Sequence, residues 1–339
     1  MRRRVVAPGP SVGAMITEHW GETPTTWAVR TSGLVKHFGR TTAVASLNLN
    51  VPIGGVHALL GPNGSGKTTT LKMLLGLVRA DAGSMEMCGV PVPERLGEAI
   101  SVVGAIVEAP KFYPAMSLRR NLEILAMSIG VHRRRVTEVL LEVGLGGRAE
   151  TRFRHCSLGM KQRLAIAATL LKEPRLLIFD EPTNGLDPAG IQEIRTTIRA
   201  LADVGRTVLM SSHLLGEVEQ VADSVSIIGR GRVLMEGDLP NLLSGDSARV
   251  VVEVADHSLA HEVLRQAGYG VTVSGNRLRV TGGPVVVAEP SDVARVLGGV
   301  GLWPHHLSVE RSTLESVFLD VTAQEHLGAT QVPVTPEAS

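Results

Sequence analysis

Cysteine is scarce in this sequence of 339 residues: Cys88 and Cys156 stand far apart, without the short spacing of a metal-ligand pair. A disulfide-stapled framework and a cysteine zinc site are thereby excluded, and a reduced setting is the economical reading, with one chance disulfide left open. Long hydrophobic runs are lacking too. Arg, Lys, Asp or Glu interrupts every apolar stretch before it reaches the roughly 20 residues that a helix needs to cross a bilayer. Neither sign of charge is in excess, with 34 Lys and Arg against 33 Asp and Glu. No global field draws the chain to nucleic acid or anionic lipid, so any such role needs a local patch. Gly and Pro are spread along the chain instead of gathered into a tract, which argues against wholesale disorder.

The length suits one large domain with an appendage, or two ordinary domains. Arg2, Arg3 and Arg4 look like the start of a signal peptide. The next residues, however, are too few and too rich in Pro and Gly for an apolar signal segment. Residues 1–27 are expected to form a flexible N-terminal extension, with Met15 an alternative start to Met1.

From residue 28 short β-branched runs (28–31 and 46–51) suggest antiparallel strands feeding the continuous apolar run 56–60, which predicts a buried strand. Helical spacing follows over 68–78 and again over 118–143. Residues 176–179 and 207–211 predict strands, and 191–201 and 214–221 predict helices. Strands alternating with helices imply a mostly parallel sheet covered on both faces. After a boundary at 245–247 the order strand, helix, strand, strand, helix, strand predicts a small α+β domain, best matched by the ferredoxin-like split βαβ. A last helix is expected to end near Val321, with residues 324–339 as a flexible tail.

Gly61, Pro62, Asn63, Gly64, Ser65, Gly66, Lys67 and Thr68 fit the phosphate-binding loop pattern and fall between a predicted strand and a predicted helix. Glycines let successive backbone N–H groups turn toward one anion, and the helix N-terminus adds partial positive charge. Lys67 would reach the β and γ phosphates, Thr68 would help hold Mg²⁺, and Thr69 completes the nucleotide-binding set. The apolar strand ending in Asp180 and Glu181 delivers two carboxylates to the sheet edge where ligands of open α/β sheets gather. Asp180 would orient Mg²⁺ and Glu181 would act as general base on the attacking water. Ser157 and Gly159 precede an Ala-rich helix, where they are either an ordinary cap or a second phosphate-binding surface.

The loop, SLGMKQR (157–163), LLIFDEPTNGLDP (176–188) and SSH (211–213) occur in the order and spacing of ABC ATPases, which this chain resembles. The resemblance implies a fold: a P-loop ABC ATPase core with antiparallel β and helical subdomains (28–245, the helical part about 110–170), followed by the α+β domain at 246–323. It implies ATP and Mg²⁺ as cofactors. It also implies a head-to-tail homodimer or pseudo-dimer, in which Ser157 and Gly159 of one copy meet the γ-phosphate held by the other. SLGMKQR is a divergent signature, with Leu158 and Met160 in place of Gly and Gln.

Carried over in the same way, Phe38 would stack on adenine instead of serving as core. Asp187 would belong to the loop that communicates across the dimer, and His213 would contact the γ-phosphate. Glu108 stands where most members carry a Gln that contacts Mg²⁺ and water. A Glu there is similar to bacitracin- and lantibiotic-resistance exporters, and the C-terminal extension, ending TLESVFLDVT (313–322), resembles that of daunorubicin-type exporters. Residues 111–121 correspond to the surface that meets the coupling helices of a membrane subunit. Phe112 and Tyr113 are there either a docking patch or local core.

The expected protein is an ATP hydrolase at the cytoplasmic face of the cell membrane, powering export of a drug, antibiotic or lipid-like compound through separate integral membrane permease subunits. No nucleic acid partner is expected. The alternative is a soluble ABC ATPase acting on ribosomes or nucleic acid, disfavoured by the single phosphate loop and the absence of sustained heptads. A P-loop kinase would leave the signature unexplained.

Overall fold

The computed structural model describes residues 26–108, 111–244, 249–275, 277–282, 288–310 and 313–328. Most of the N-terminal extension expected over 1–27, and the end of the tail expected over 324–339, lie outside the described residues. The chain divides into two compact units after Glu236, earlier than the 245/246 boundary read from the sequence. The helix Leu239–Ser244 packs on the C-terminal helix Leu314–Gly328, so it belongs with the second unit.

In the first unit an antiparallel sheet forms around β1 (Trp27–Phe38). It pairs with β2 (Thr41–Leu47), β3 (Asn50–Pro52) and β5 (Ala82–Met87), and β5 in turn pairs with β6 (Val90–Val92). The second sheet has the order β11-β10-β4-β9-β8-β7. Its strands are β4 (Val56–Leu60), β7 (Val103–Ile106), β8 (Leu176–Asp180), β9 (Thr207–Ser212), β10 (Ser224–Gly229) and β11 (Arg232–Asp238). Strands β10, β4, β9, β8 and β7 run parallel. Every residue of β4, β9 and β10 is buried, the signature of a sheet covered on both faces.

The edge strand β7 has too short and too small-sided a sequence to be legible in advance. Gly104 within it is a packing requirement, since a Cβ there would lie 2.9 Å from Thr169 Cβ and 3.0 Å from the Thr169 carbonyl oxygen.

Helix α1 (Lys67–Leu74) follows the loop after β4, and α2 (Leu96–Ser101) precedes β7. The insertion between β7 and β8 holds α3 (Leu118–Ser128), α4 (Arg133–Glu142) and α5 (Leu158–Leu170). The helical spacing over 118–143 is thus two helices. Gly130, at φ +71°, breaks the first, and His132 starts the second by accepting a hydrogen bond from Arg134 N. Two more helices, α6 (Pro188–Asp203) and α7 (Leu215–Val218), complete this unit.

The second unit opens with α8 (Leu239–Ser244) and continues β12 (Arg249–Glu253), α9 (His257–Gln266), β13 (Gly270–Ser274), β14 (Arg277–Thr281), α10 (Pro290–Gly298) and β15 (His306–Glu310). Its sheet order β13-β14-β12-β15, antiparallel throughout, is the ferredoxin-like arrangement read from the sequence. Val250, Val252, Leu278 and Val280 pack on Ala260, Leu264, Val293 and Leu297 to make its core. The last helix, α11 (Leu314–Gly328), runs past Val321 and into the segment expected as tail. Among the described residues no helix is long and apolar enough to cross a membrane.

Candidate active site

Strand β4 delivers the chain to Gly61, where space for a side chain runs out. A Cβ there would sit 2.4 Å from the Ile228 carbonyl oxygen and 2.5 Å from Ser65 Oγ. Gly66 caps α1 with φ +105°, and its Cβ would meet the Ala43 carbonyl oxygen at 2.6 Å. Glycine at both positions lets the loop close this tightly on the helix N-terminus. The Lys67 ammonium, almost fully buried, donates to the carbonyl oxygens of Gly61 at 2.7 Å and Pro62 at 3.3 Å. The Ser65 hydroxyl is buried and has no hydrogen-bond partner among the described residues. A tight glycine cradle, a positive helix end, an ammonium and an unspent hydroxyl together fit a phosphate group.

Because β8 and β9 lie side by side, the parallel sheet brings two further segments to the same edge. Thr68 Oγ1 donates to Asp180 Oδ2 at 2.8 Å, and Ser211 Oγ donates to Asp180 Oδ1 at 2.5 Å. The same Ser211 hydroxyl accepts from Glu181 N at 2.9 Å. Glu181 has φ +48°, a left-handed conformation that costs a non-glycine residue about 1–2 kcal/mol and turns the backbone just past the strand. Its Oε2 lies 2.7 Å from His213 Nδ1 and its Oε1 3.6 Å from Lys67 Nζ. The Thr68 and Asp180 oxygens are hard donors of the kind that hold Mg²⁺ beside phosphates.

Glu108 is placed differently. Its carboxylate is exposed and pairs with Lys72 Nζ on α1 at 3.1 Å. A cavity of about 270 Å³ adjoins it, lined among others by Ile106, Val107, Leu125, Ile129 and Thr169.

Ser157, Gly159 and Asp187 form a second, separate surface. Ser157 Oγ accepts from Met160 N at 3.2 Å to cap α5, and Asp187 Oδ1 accepts from Gly190 N at 3.1 Å to cap α6. Arg163 bridges α5 and α6 through Glu193 at 3.0 Å. Among the described residues no hydrogen bond or ion pair links Ser157, Gly159 or Asp187 to the phosphate loop or its carboxylates. Burial pushes the Cys156 thiol beside this cap above its usual range.

Phe38 is 51% exposed, with Lys36 Nζ 5.4 Å from its ring centroid, so it is not a core residue. Phe112 packs on Phe153, the centroids 5.2 Å apart, whereas Tyr113 is 57% exposed. Two site contributors escaped sequence reading. Ser211 had a signal, since it opens the SSH segment, but only His213 was singled out there. Lys72 had none, because its partner lies thirty-six residues away in sequence.

Comparison with known proteins adds four findings. Residues 44–184 match the family model described as ABC transporter. The bacitracin transport ATP-binding protein BcrA of Bacillus licheniformis is 41% identical over 240 residues, covering 70% of this chain and 78% of the relative. The lantibiotic transport ATP-binding protein SrtF of Streptococcus pyogenes is 41% identical over 208 residues, covering 61% of this chain and 90% of the relative. Among solved structures, cbiO1 of Clostridium perfringens, described as part of the ABC transporter complex cbiONQ, is 25% identical. It superposes with a TM-score of 0.60 over 72% of this chain and 95% of that one.

Proposed function

The chain belongs to the ABC transporter ATP-binding proteins, the ATP-hydrolysing subunits of transporters, and from that membership we propose the following cycle. Two copies bind two ATP head to tail, close, drive separate permease subunits at the cytoplasmic face of the membrane, hydrolyse and reopen. The observation that carries this reading is the convergence of Lys67, Thr68, Asp180, Glu181 and His213 at one sheet edge.

Phe38 stacks on the adenine, supported by the exposure of its ring at the end of β1. Lys67 turns from the Gly61 and Pro62 carbonyls to the phosphates. Thr68 and Asp180 would hold Mg²⁺, which would supply positive charge beside the phosphates. Glu181 takes the proton of the attacking water, a role that contributes roughly two to four decades of rate. His213 donates Nδ1–H to Glu181 and so fixes the carboxylate's direction, with its second nitrogen free for the γ-phosphate. Ser157 and Gly159 of the second copy close the site from the other side.

The cavity beside Glu108, with Leu125 and Ile129 in its wall, supports a membrane subunit docking here. The relatives named for bacitracin and lantibiotic transport support an antibiotic-like, amphiphilic cargo. A tagged chain extracted from its host membranes tests the reading. Recovery with an integral membrane protein in fixed ratio supports it, and recovery with ribosomes or DNA instead rejects it.

A further inference from the structure

The balance of 34 basic and 33 acidic residues conceals a strong asymmetry. Between Lys111 and Arg163, the helical insertion, eleven Lys and Arg face four Glu and no Asp. The remainder of the chain therefore carries more acidic than basic residues.

Part of this excess is ordered into a row. The turn leading into α3 and the segment 149–154 lie side by side, joined by an isolated antiparallel bridge of Ser117 with Arg152 and by Leu118 N to Thr151 O at 3.0 Å, Arg119 N to Ala149 O at 2.9 Å, Phe153 N to Met116 O at 2.9 Å and Arg154 N to Pro114 O at 3.0 Å. Ala149 is buried and Thr151 and Phe153 are half-buried against this turn, whereas Glu150, Arg152 and Arg154 between them are exposed. Glu150 is engaged by Arg119 at 2.7 Å. Arg148, Arg152 and Arg154 have no carboxylate partner among the described residues, and the only side-chain contact Arg154 makes there is to its neighbour His155 at 3.2 Å. Exposed Lys111 likewise lacks a carboxylate partner there, and exposed Tyr113 lies next to Pro114 at the end of the row.

We propose that this face of the insertion, through Lys111, Arg148, Arg152 and Arg154 with Tyr113 at its edge, binds the anionic phospholipid headgroups of the membrane surface directly. Guanidiniums without a carboxylate partner keep their full attraction for headgroup phosphates, while a tyrosine is suited to the boundary between headgroups and water. A leaflet presents many anions at once, so basic groups displayed along a row act together, each raising the partition constant roughly fivefold. The opposite charge of the remaining chain is repelled by the same leaflet, so the field turns the insertion toward the membrane. This contact does not pass through a permease subunit, and its failure would leave the transport reading untouched.

Flotation of the full chain with vesicles tests it. Vesicles of phosphatidylcholine with about one-third phosphatidylglycerol should bind the chain at low salt, release it as salt rises, and bind far more than phosphatidylcholine alone. The triple variant Arg148→Gln, Arg152→Gln, Arg154→Gln should lose on the order of a hundredfold in partitioning while keeping its ATP affinity and its melting temperature. Arg265→Gln in the second unit should change partitioning less than about threefold. The triple Arg→Lys variant should bind vesicles normally, because a leaflet reads charge and not the guanidinium fork. Equal binding to both vesicle types, an unchanged triple Gln variant, or loss of binding in the Lys variant overturns the proposal. So does binding of duplex DNA in preference to vesicles at the same salt, which would make the row a nucleic-acid surface.

Discussion

Glu181 and His213 are joined by a 2.7 Å contact between Oε2 and Nδ1 across the end of two neighbouring parallel strands. A carboxylate oxygen accepts, so the imidazole donates from Nδ1 and keeps Nε2 for another partner. The two residues therefore divide the work. Glu181→Gln should lower kcat by at least about a hundredfold, with ATP affinity changed less than about threefold. His213→Ala should lower kcat by roughly tenfold to a hundredfold by releasing the base from its orientation. Steady-state hydrolysis and fluorescent-nucleotide binding on the same preparations separate the two effects, and normal turnover in Glu181→Gln would remove it from the base role.

Ser211 touches both acidic residues, holding Asp180 Oδ1 and the Glu181 amide. Ser211→Ala should therefore raise the Mg²⁺ concentration needed for half-maximal hydrolysis by several fold, while ATP binding measured without Mg²⁺ stays within about twofold. Equal losses in both measurements would point to general unfolding of the edge.

The loop glycines should not behave alike. Gly61 has no room for a Cβ, with contacts at 2.4 Å and 2.5 Å, whereas Gly64 at φ +82° faces open space. Gly61→Ala should abolish nucleotide binding and lower Tm. Gly64→Ala should bear only its backbone strain, about 1 kcal/mol, and retain measurable binding. Isothermal titration and a melting curve on each variant check this.

His57 lies on β4, wholly buried between Ser224 Oγ at 2.8 Å and Ser226 Oγ at 2.9 Å, and burial lowers its pKa to about 3. The folded state thus holds the ring neutral where the unfolded chain, near 6.5, takes up a proton. Above pH 6.5 both states are neutral and the group adds no pH dependence. Between 6.5 and about 3 unfolding is favoured progressively, by on the order of 2 kcal/mol at pH 5. His57→Asn should be less stable at about pH 8, and its denaturant midpoint should fall less steeply between about pH 6.5 and 5 than that of the parent.

How much was legible beforehand follows from the reach of each signal. The phosphate loop, the Asp180–Glu181 strand end and the βαββαβ order of the second unit were readable because their cues are local and periodic. The break at Gly130 was misread, since apolar residues at helical spacing continue on both sides of it. Strand β7 was invisible because its four residues gain their state only from β8 beside them. The ion pair of Lys72 with Glu108 joins a helix to the end of an edge strand, and no spacing rule reaches that far. The basic row of Arg148, Arg152 and Arg154 was hidden in a balanced overall charge.

The central claim is that Ser157 of one copy completes the phosphate site of another, since among the described residues of one chain the Ser157 hydroxyl only caps α5. Asn63→Cys and Ser157→Cys, placed in a Cys88→Ala, Cys156→Ala, Glu181→Gln background, test it with a short bis-maleimide. ATP with Mg²⁺ should produce a product of twice the 36.0 kDa chain, in which the thiol introduced in place of Asn63 in one copy is joined to the thiol introduced in place of Ser157 in the other. That product should be absent without nucleotide and from either single-cysteine variant alone. Failure of the two positions to join copies in saturating ATP, with binding intact, would contradict the account.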